Sequence, residues 1–295
     1  MELNTDELLL SQTGKGFTAF QSAAVNNQVE KLLKIWIWPE ETQLNPKELK
    51  KELFIAKDNY GYIAWHVAAL LRNLGALEAL WYLAKEVDLE THELLLSQFG
   101  KGYTAFQLAA QSKHVETLLK MWIWAEETQL NPKELSKSLF LAKDNDGYIA
   151  WHLASSAGHI EALDTLWSLA KKVEINTDEL LLSQPGNGVT AFQLAARENH
   201  VETLLKMWTW AEETQLNPKE LKKKLFLAKD NYGYIAWHGA AVFGSLEALE
   251  ALWYWAKEVE LNTNELLLSE TGDGYTAFQM AAVKNNVKAL LKMWV

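Results

Sequence analysis

The sequence predicts an all-α protein, an α-solenoid of stacked helical repeats, and three observations carry that prediction. First, the chain repeats itself with a period of 86 residues. Gly-x-Thr-Ala-Phe-Gln begins at Gly16, Gly102, Gly188 and Gly274, and Gly-Tyr-Ile-Ala-Trp-His begins at Gly61, Gly147 and Gly233. The two segments alternate at spacings of 45 and 41, which makes seven repeats, the last incomplete, with residues 1–15 reading as the end of a preceding one. Periods of this size belong to solenoids and propellers. Second, apolar residues recur at the spacing of one helix face, as in Val115, Leu118, Leu119 and Trp122, or Leu77, Leu80, Trp81 and Ala84. Third, no useful length alternates like a strand, which removes the propeller. Length alone would suggest two domains at roughly 150 residues each. The period instead predicts one array over residues 1–295.

Each repeat is expected to hold three helices. The first is short and alanine-rich, as in Ala105-Phe-Gln-Leu-Ala-Ala, so that neighbours approach closely; the second carries the apolar stripe. A short third helix follows in the connection to the next repeat. In Leu44-Asn45-Pro46-Lys47-Glu48-Leu49, Asn45 suits the N-cap, Pro46 the first turn, Glu48 a capping box and Leu44 a staple to Leu49. The pattern returns at Asn131-Pro132 and Asn217-Pro218, and in the shorter repeat at Leu3-Asn4-Thr5; Glu90 breaks it, so Thr91 is expected to cap there. Turns such as Asp58-Asn-Tyr-Gly61 place glycine where the backbone reverses.

Composition narrows the function classes. The chain is 49% hydrophobic and 22% charged, which excludes a disordered chain. It has no Cys, so neither disulfides nor thiolate metal sites hold it together. Fourteen Trp are expected in the packing between helices. Twenty-eight basic against 38 acidic residues give a net charge of −10, and only Arg72 and Arg197 are arginine, which argues against a nucleic-acid partner. No apolar stretch reaches a membrane span and no signal peptide opens the sequence, so no membrane association is expected and the default location is the cytoplasm.

These repeats resemble ankyrin repeats. Asp58-x-x-Gly61-Tyr-Ile-Ala64-Trp65-His66-Val-Ala68-Ala69 follows the family pattern Asp-x-x-Gly-x-Thr-Pro-Leu-His-x-Ala-Ala, as do residues 144–155 and 230–241. Gly102-Tyr-Thr104-Ala105-Phe106-Gln107-Leu-Ala109-Ala110 keeps the threonine and replaces histidine by glutamine, and Gly158-His159 keeps the dipeptide before helix two. The resemblance spans all seven repeats and implies an ankyrin-type solenoid with short finger turns and little or no β-strand. Ala replaces the motif's proline throughout. Ile63, Ile149 and Ile235 replace the threonine that caps helix one, so those repeats are expected to lose that cap.

No chemistry-bearing constellation assembles. His66, His152 and His238 sit near Asp58, Asp144 and Asp230 three times over, whereas an enzyme needs one assembled site. The resemblance implies that these histidines bond backbone in the turns. His114 and His200 lack the second ligand that a metal site needs. No catalytic residue, cofactor site or metal site is therefore expected. Trp38, Trp124 and Trp210, off the main stripe, are expected to bury against the third helix.

Differences among the copies point to a binding surface. Framework residues barely change, while turn tips and the ends of helix one do. In ankyrin proteins these line the concave face that holds partners. The residues so assigned are Tyr60, Tyr62, Leu70, Leu71, Lys101, Tyr103, Gln111, Ser112, Asp146, Ser156, Ala157, Arg197, Glu198, Tyr232, Tyr234, Val242 and Phe243. The expected function is a non-enzymatic scaffold holding a protein or peptide on that face, with basic patches on the partner favoured by the acidic balance. The alternative is a structural spacer segment of a larger protein, or an engineered consensus-like scaffold. Terminal repeats without polar caps predict end-to-end self-association.

Overall fold

The computed structural model describes residues 5–41, 45–128, 131–213 and 217–294. Among them are 21 α-helices and no strand. Two isolated bridges, Phe99 with Tyr103 and Glu270 with Thr276, are the β-type pairings seen among the described residues. The chain falls into two compact units, residues 1–145 and 146–295.

The first unit runs α1 (Thr5–Leu10), α2 (Ala19–Val25), α3 (Val29–Ile37), a 3₁₀ turn (Trp38–Glu41), α4 (Pro46–Ile55), α5 (Ala64–Leu70), α6 (Leu74–Glu86), α7 (Thr91–Leu96), α8 (Ala105–Gln111), α9 (Val115–Glu127) and α10 (Pro132–Leu141). The second runs α11 (Ala150–Ser156), α12 (Ile160–Lys172), α13 (Thr177–Leu181), α14 (Ala191–Arg197), α15 (Val201–Trp210), α16 (Pro218–Leu227), α17 (Ala236–Phe243), α18 (Leu246–Glu258), α19 (Thr263–Leu267), α20 (Ala277–Val283) and α21 (Val287–Trp294). The third helix is present as α4, α7, α10, α13, α16 and α19. The step from first to second helix passes through a left-handed residue in every copy: Asn27, Arg72, Lys113, Gly158, Asn199, Gly244 and Asn285.

Capping follows the residues closely. Asn45, Asn176, Asn217 and Asn262 each take a backbone amide two residues on. Asn131 makes no such bond, and α7 starts at Thr91 behind Glu90, whose side chain makes no cap bond, so Thr91 is not the cap. The expectations for Asn4 and for the staple at Leu44 lie outside the described residues. Thr18, Thr104, Thr190 and Thr276 close capping boxes with Gln21, Gln107, Gln193 and Gln279. Where isoleucine stands instead, half of the box survives in two of the three copies, while Nδ1 of His66 has no partner among the described residues. The Ile149 and Ile235 amides donate to Nδ1 of His152 and His238, at 3.4 and 3.3 Å.

The first helices pack side by side through buried alanines, including Ala68, Ala69, Ala109, Ala110, Ala195, Ala196, Ala240 and Ala241. Tryptophan joins successive second helices. Trp124 stacks on Trp81 at 4.7 Å and also meets Trp65 at 5.7 Å. Trp210 stacks on Trp167 at 4.8 Å and meets Trp151 at 5.4 Å. Trp124 and Trp210 are thus buried, as expected, with their ring partners among the tryptophans of the preceding repeat. It is Trp36 and Trp208 that meet third-helix rings, Phe54 and Phe226. Trp38 is 46% exposed, contrary to the expected burial.

Finger turns close with local backbone bonds, such as Asp58 N to Tyr62 O at 2.9 Å with Gly61 N to Asp58 O at 3.0 Å, and Asp230 N to Tyr234 O at 3.0 Å with Gly233 N to Asp230 O at 2.9 Å. Neighbouring turns within each unit are tied by single backbone bonds: Asn59 N to Lys15 O, Asn145 N to Lys101 O, Asn231 N to Asn187 O and Gly272 N to Tyr232 O. The last approach is so close that a Cβ on Gly233, at φ +79°, would stand 2.5 Å from the Gly272 nitrogen.

Candidate functional site

The turn aspartates and the helix-one histidines have structural duties. Asp58 Oδ1 accepts the amides of Tyr60 and Tyr62, and Asp230 Oδ1 those of Tyr232 and Tyr234, all at 2.9 Å. In an Asx arrangement of this kind the side chain bonds the backbone just ahead of it and fixes the turn locally. His66, His152 and His238 each set Nε2 against a backbone carbonyl of the following turn: Ser97 at 3.2 Å, Ser183 at 3.0 Å and Ser269 at 2.9 Å. Gln21 and Gln193 do the same through Nε2, bonding Ala56 O with Tyr62 O and Ala228 O with Tyr234 O. Histidine and glutamine are therefore alternative solutions to one task, tying a helix start to the next connection.

Burial disfavours the charged imidazole. It pushes His66 down to about 4, with Lys57 adding to the fall and the Ser97 bond opposing it. His238 is lowered for the same first reason. With Nδ1 accepting, as in His152 and His238, the neutral Nε2–H tautomer is the one that donates to the carbonyl. His114 and His200 bond Ala69 O and Ser156 O at 3.1 Å each. Among the described residues no three potential metal ligands cluster, and no helix is long and apolar enough to cross a membrane.

Five of the surface residues expected from sequence converge on one groove in the second unit. Arg197, Tyr232, Tyr234, Val242 and Phe243 line a space of about 780 Å³ together with Val189, Gly239, Met280, Asp230, Asp273 and Lys284. Helices α14, α17 and α20 lie side by side and supply its floor, and the turns at Asp230 and Asp273 supply one wall. Phe243 is 59% exposed, and the Arg197 guanidinium lies over its ring at 5.3 Å. Such a contact attracts the cation to one face of the ring, which it covers. Tyr232 is exposed. Tyr234 is half-buried with its hydroxyl on Met280 Sδ at 3.9 Å. Burial, with Asp230 and Asp273 close by, raises the Tyr234 hydroxyl above its ordinary pKa.

Glycine opens this groove. The position of Gly239 is Val67 and Leu153 in the other short repeats, and both of those side chains are buried. A Cβ at 239 would meet nothing nearer than the Arg197 Cβ at 3.9 Å. Gly239 and Met280 were not foreseen as site residues. The available signal was a glycine inside a helix where the other copies hold Val and Leu.

The remaining expected residues are placed elsewhere. In the first unit Tyr60 and Leu71 are exposed, Leu70, Gln111 and Ser112 half-buried on α5 and at the end of α8, and Lys101 exposed in its turn. Tyr62 and Tyr103 are drawn into a cluster around the buried Phe99, whose ring lies 3.9 Å from Tyr62 and 6.4 Å from Tyr103. In the second unit Asp146 is exposed and its carbonyl takes the Gly186 amide at 3.0 Å. Ser156 and Ala157 are half-buried, and Glu198 pairs with Arg197 Nε at 2.9 Å.

Neither a protein-family model nor a curated protein sequence matches the chain.

Proposed function

We propose that this chain is a non-enzymatic protein-binding scaffold, an ankyrin-type helical repeat array. In this reading it holds a segment of a partner protein in the groove between α14, α17 and α20. The observation that carries the reading is the groove itself: a concave, largely apolar space with two tyrosines and an exposed phenylalanine on rigid helices and tied turns. Tyrosine and phenylalanine give large contact area for little lost side-chain freedom, which is why interfaces favour them. The turn aspartates and the buried, neutral histidines are committed to the fold, which supports binding rather than catalysis as the use of this surface.

The lining holds Arg197 and Lys284 beside Asp230 and Asp273, so its charge is balanced. The acidic surplus of the chain lies on other surfaces. The fitting partner is therefore an apolar or aromatic segment with charges of either sign at its ends, rather than a purely basic one.

Peptides selected from a random display library against the full chain test this. Phe243→Lys should weaken a selected peptide by about tenfold or more, the scale of a central interface residue. Leu71→Lys, the same position two periods earlier, should leave it unchanged. Equal binding to wild type and Phe243→Lys, with the helical signal intact, would remove the groove assignment.

A further inference from the structure

We infer that the groove between α14, α17 and α20 takes one extended peptide segment anchored by a leucine, with a basic residue two positions to one side of it and an acidic residue two positions to the other, an inference that rests on the function proposed above. The anchor follows from a side chain that the groove lacks. In the other short repeats the position of Gly239 is held by Val67 and Leu153, each only 6% exposed. Helix α17 runs unbroken through Gly239. The backbone of the position is kept and the side chain is missing. A Cβ there would find one heavy atom within 4 Å, the Arg197 Cβ at 3.9 Å. A partner's leucine entering over Gly239 would take the place that Leu153 fills from within in the preceding short repeat. Met280 lines the same space, and a methionine adapts its shape to an aliphatic neighbour.

The flanking charges follow from which lining groups are already engaged. Asp230 Oδ1 holds two amides of its own turn, and Arg197 is taken up by Glu198 and the Phe243 ring. Asp273 and Lys284 are exposed, and neither forms an ion pair among the described residues. Asp273 stands in the turn ahead of α20, and Lys284 caps its far end. The seven residues of α20 put about 10 Å between them. Gly239, the fourth of eight residues in α17, lies between these two edges. In an extended chain, residues four apart span about 13 Å, and every second side chain points to the same face. A basic residue, a leucine and an acidic residue at i, i+2 and i+4 therefore reach Asp273, the gap over Gly239 and Lys284 together.

The probes are two fluorescein-labelled peptides, Ser-Gly-Lys-Ser-Leu-Ser-Glu-Gly-Ser and the same sequence with Lys and Glu exchanged, which present the pattern in both chain directions. Titrated against the full chain by fluorescence anisotropy, at least one should saturate a single site below about 1 mM. Alanine for its leucine should weaken that peptide by about tenfold or more, the scale of burying one leucine side chain. Gly239→Leu should abolish binding by filling the gap from within. Asp273→Lys should weaken the peptide by about two- to fivefold, the scale of an exposed pair, and glutamate in place of the peptide's lysine should recover the loss. Lys284→Glu should act likewise, with recovery by lysine in place of the peptide's glutamate. All three new residues already stand at these positions in other copies, as Leu153, Lys101 and Glu198, and circular dichroism checks each variant. Saturation by neither peptide, indifference to the leucine, or no recovery by the exchanged charges would overturn the inference. The library-selected peptide separates that failure from failure of the groove. If Phe243→Lys still removes the selected peptide, only the chemistry assigned to the occupant falls. If Phe243→Lys leaves it bound, the groove assignment falls with it.

Discussion

Tyr62 and Tyr234 occupy the same position two periods apart, behind the same aspartate with the same pair of 2.9 Å bonds, yet their surroundings differ. Around Tyr62, Phe99 fills the space, 3.9 Å from the tyrosine ring and 4.4 Å from His66. Around Tyr234, the counterpart of Phe99 is Thr271 and the counterpart of Val67 is Gly239. The space there is open and lined by tyrosine and phenylalanine. Frame and filling are thus separable. Hydrogen bonds at invariant positions set the frame, and single apolar residues decide whether a copy is packed shut or left as a groove.

The largest expected effect comes from emptying the closed copy. Phe99→Ala should cost about 3 kcal/mol, the low end for truncating a buried phenylalanine, read as a shift of the urea midpoint at constant slope. A loss below about 1 kcal/mol, typical of a surface change, would show that Phe99 is not the plug.

Acid should separate the two copies next. Unfolded His66 takes a proton near 6.5, but the folded protein takes it only near 4. Between those values the unfolded chain binds more protons, so stability falls as the pH drops through that window. At pH 5 the loss is on the order of 2 kcal/mol. Glutamine already does the same task in the long repeats. His66→Gln should therefore keep stability at pH 7 and reduce the difference between denaturation curves at pH 7 and pH 5. His238→Gln should reduce it less, since no ring from Thr271 adds to its burial. Identical acid loss in wild type and His66→Gln would count against this account.

The smallest effect on stability should come from closing the open copy. Gly239→Leu removes a helical glycine, worth up to about 0.8 kcal/mol in favour of the fold, and there is room for the new side chain. Stability should hold or rise while a peptide selected on the groove is lost. Retained binding, or a fall of more than about 1 kcal/mol as overpacking produces, would break the contrast between the copies.

Much of this was legible in the residues. Helices formed where apolar spacing and alanine pairs placed them, and the third helix appeared behind Asn-Pro, because these are local effects of cap chemistry and the 3.6-residue period. The exposed tyrosines and Phe243 were identified by comparing copies. Other partners were not legible because they depend on residues far apart in sequence. Trp124 and Trp210 have their partners in the preceding repeat, over 40 residues away. The histidines reach carbonyls 31 residues on, and in two copies their other ring nitrogen accepts the amide of the isoleucine that replaced the capping threonine.

Sequence by itself determined the helical class, the repeat and the identity of the variable surface residues, since each of these is written in short-range pattern and in the period. Only the tertiary structure decided which variable residues share a groove and which tryptophan faces are covered. Those outcomes turn on volume: whether Phe or Thr, Val or Gly, reaches into a space enclosed by three different helices.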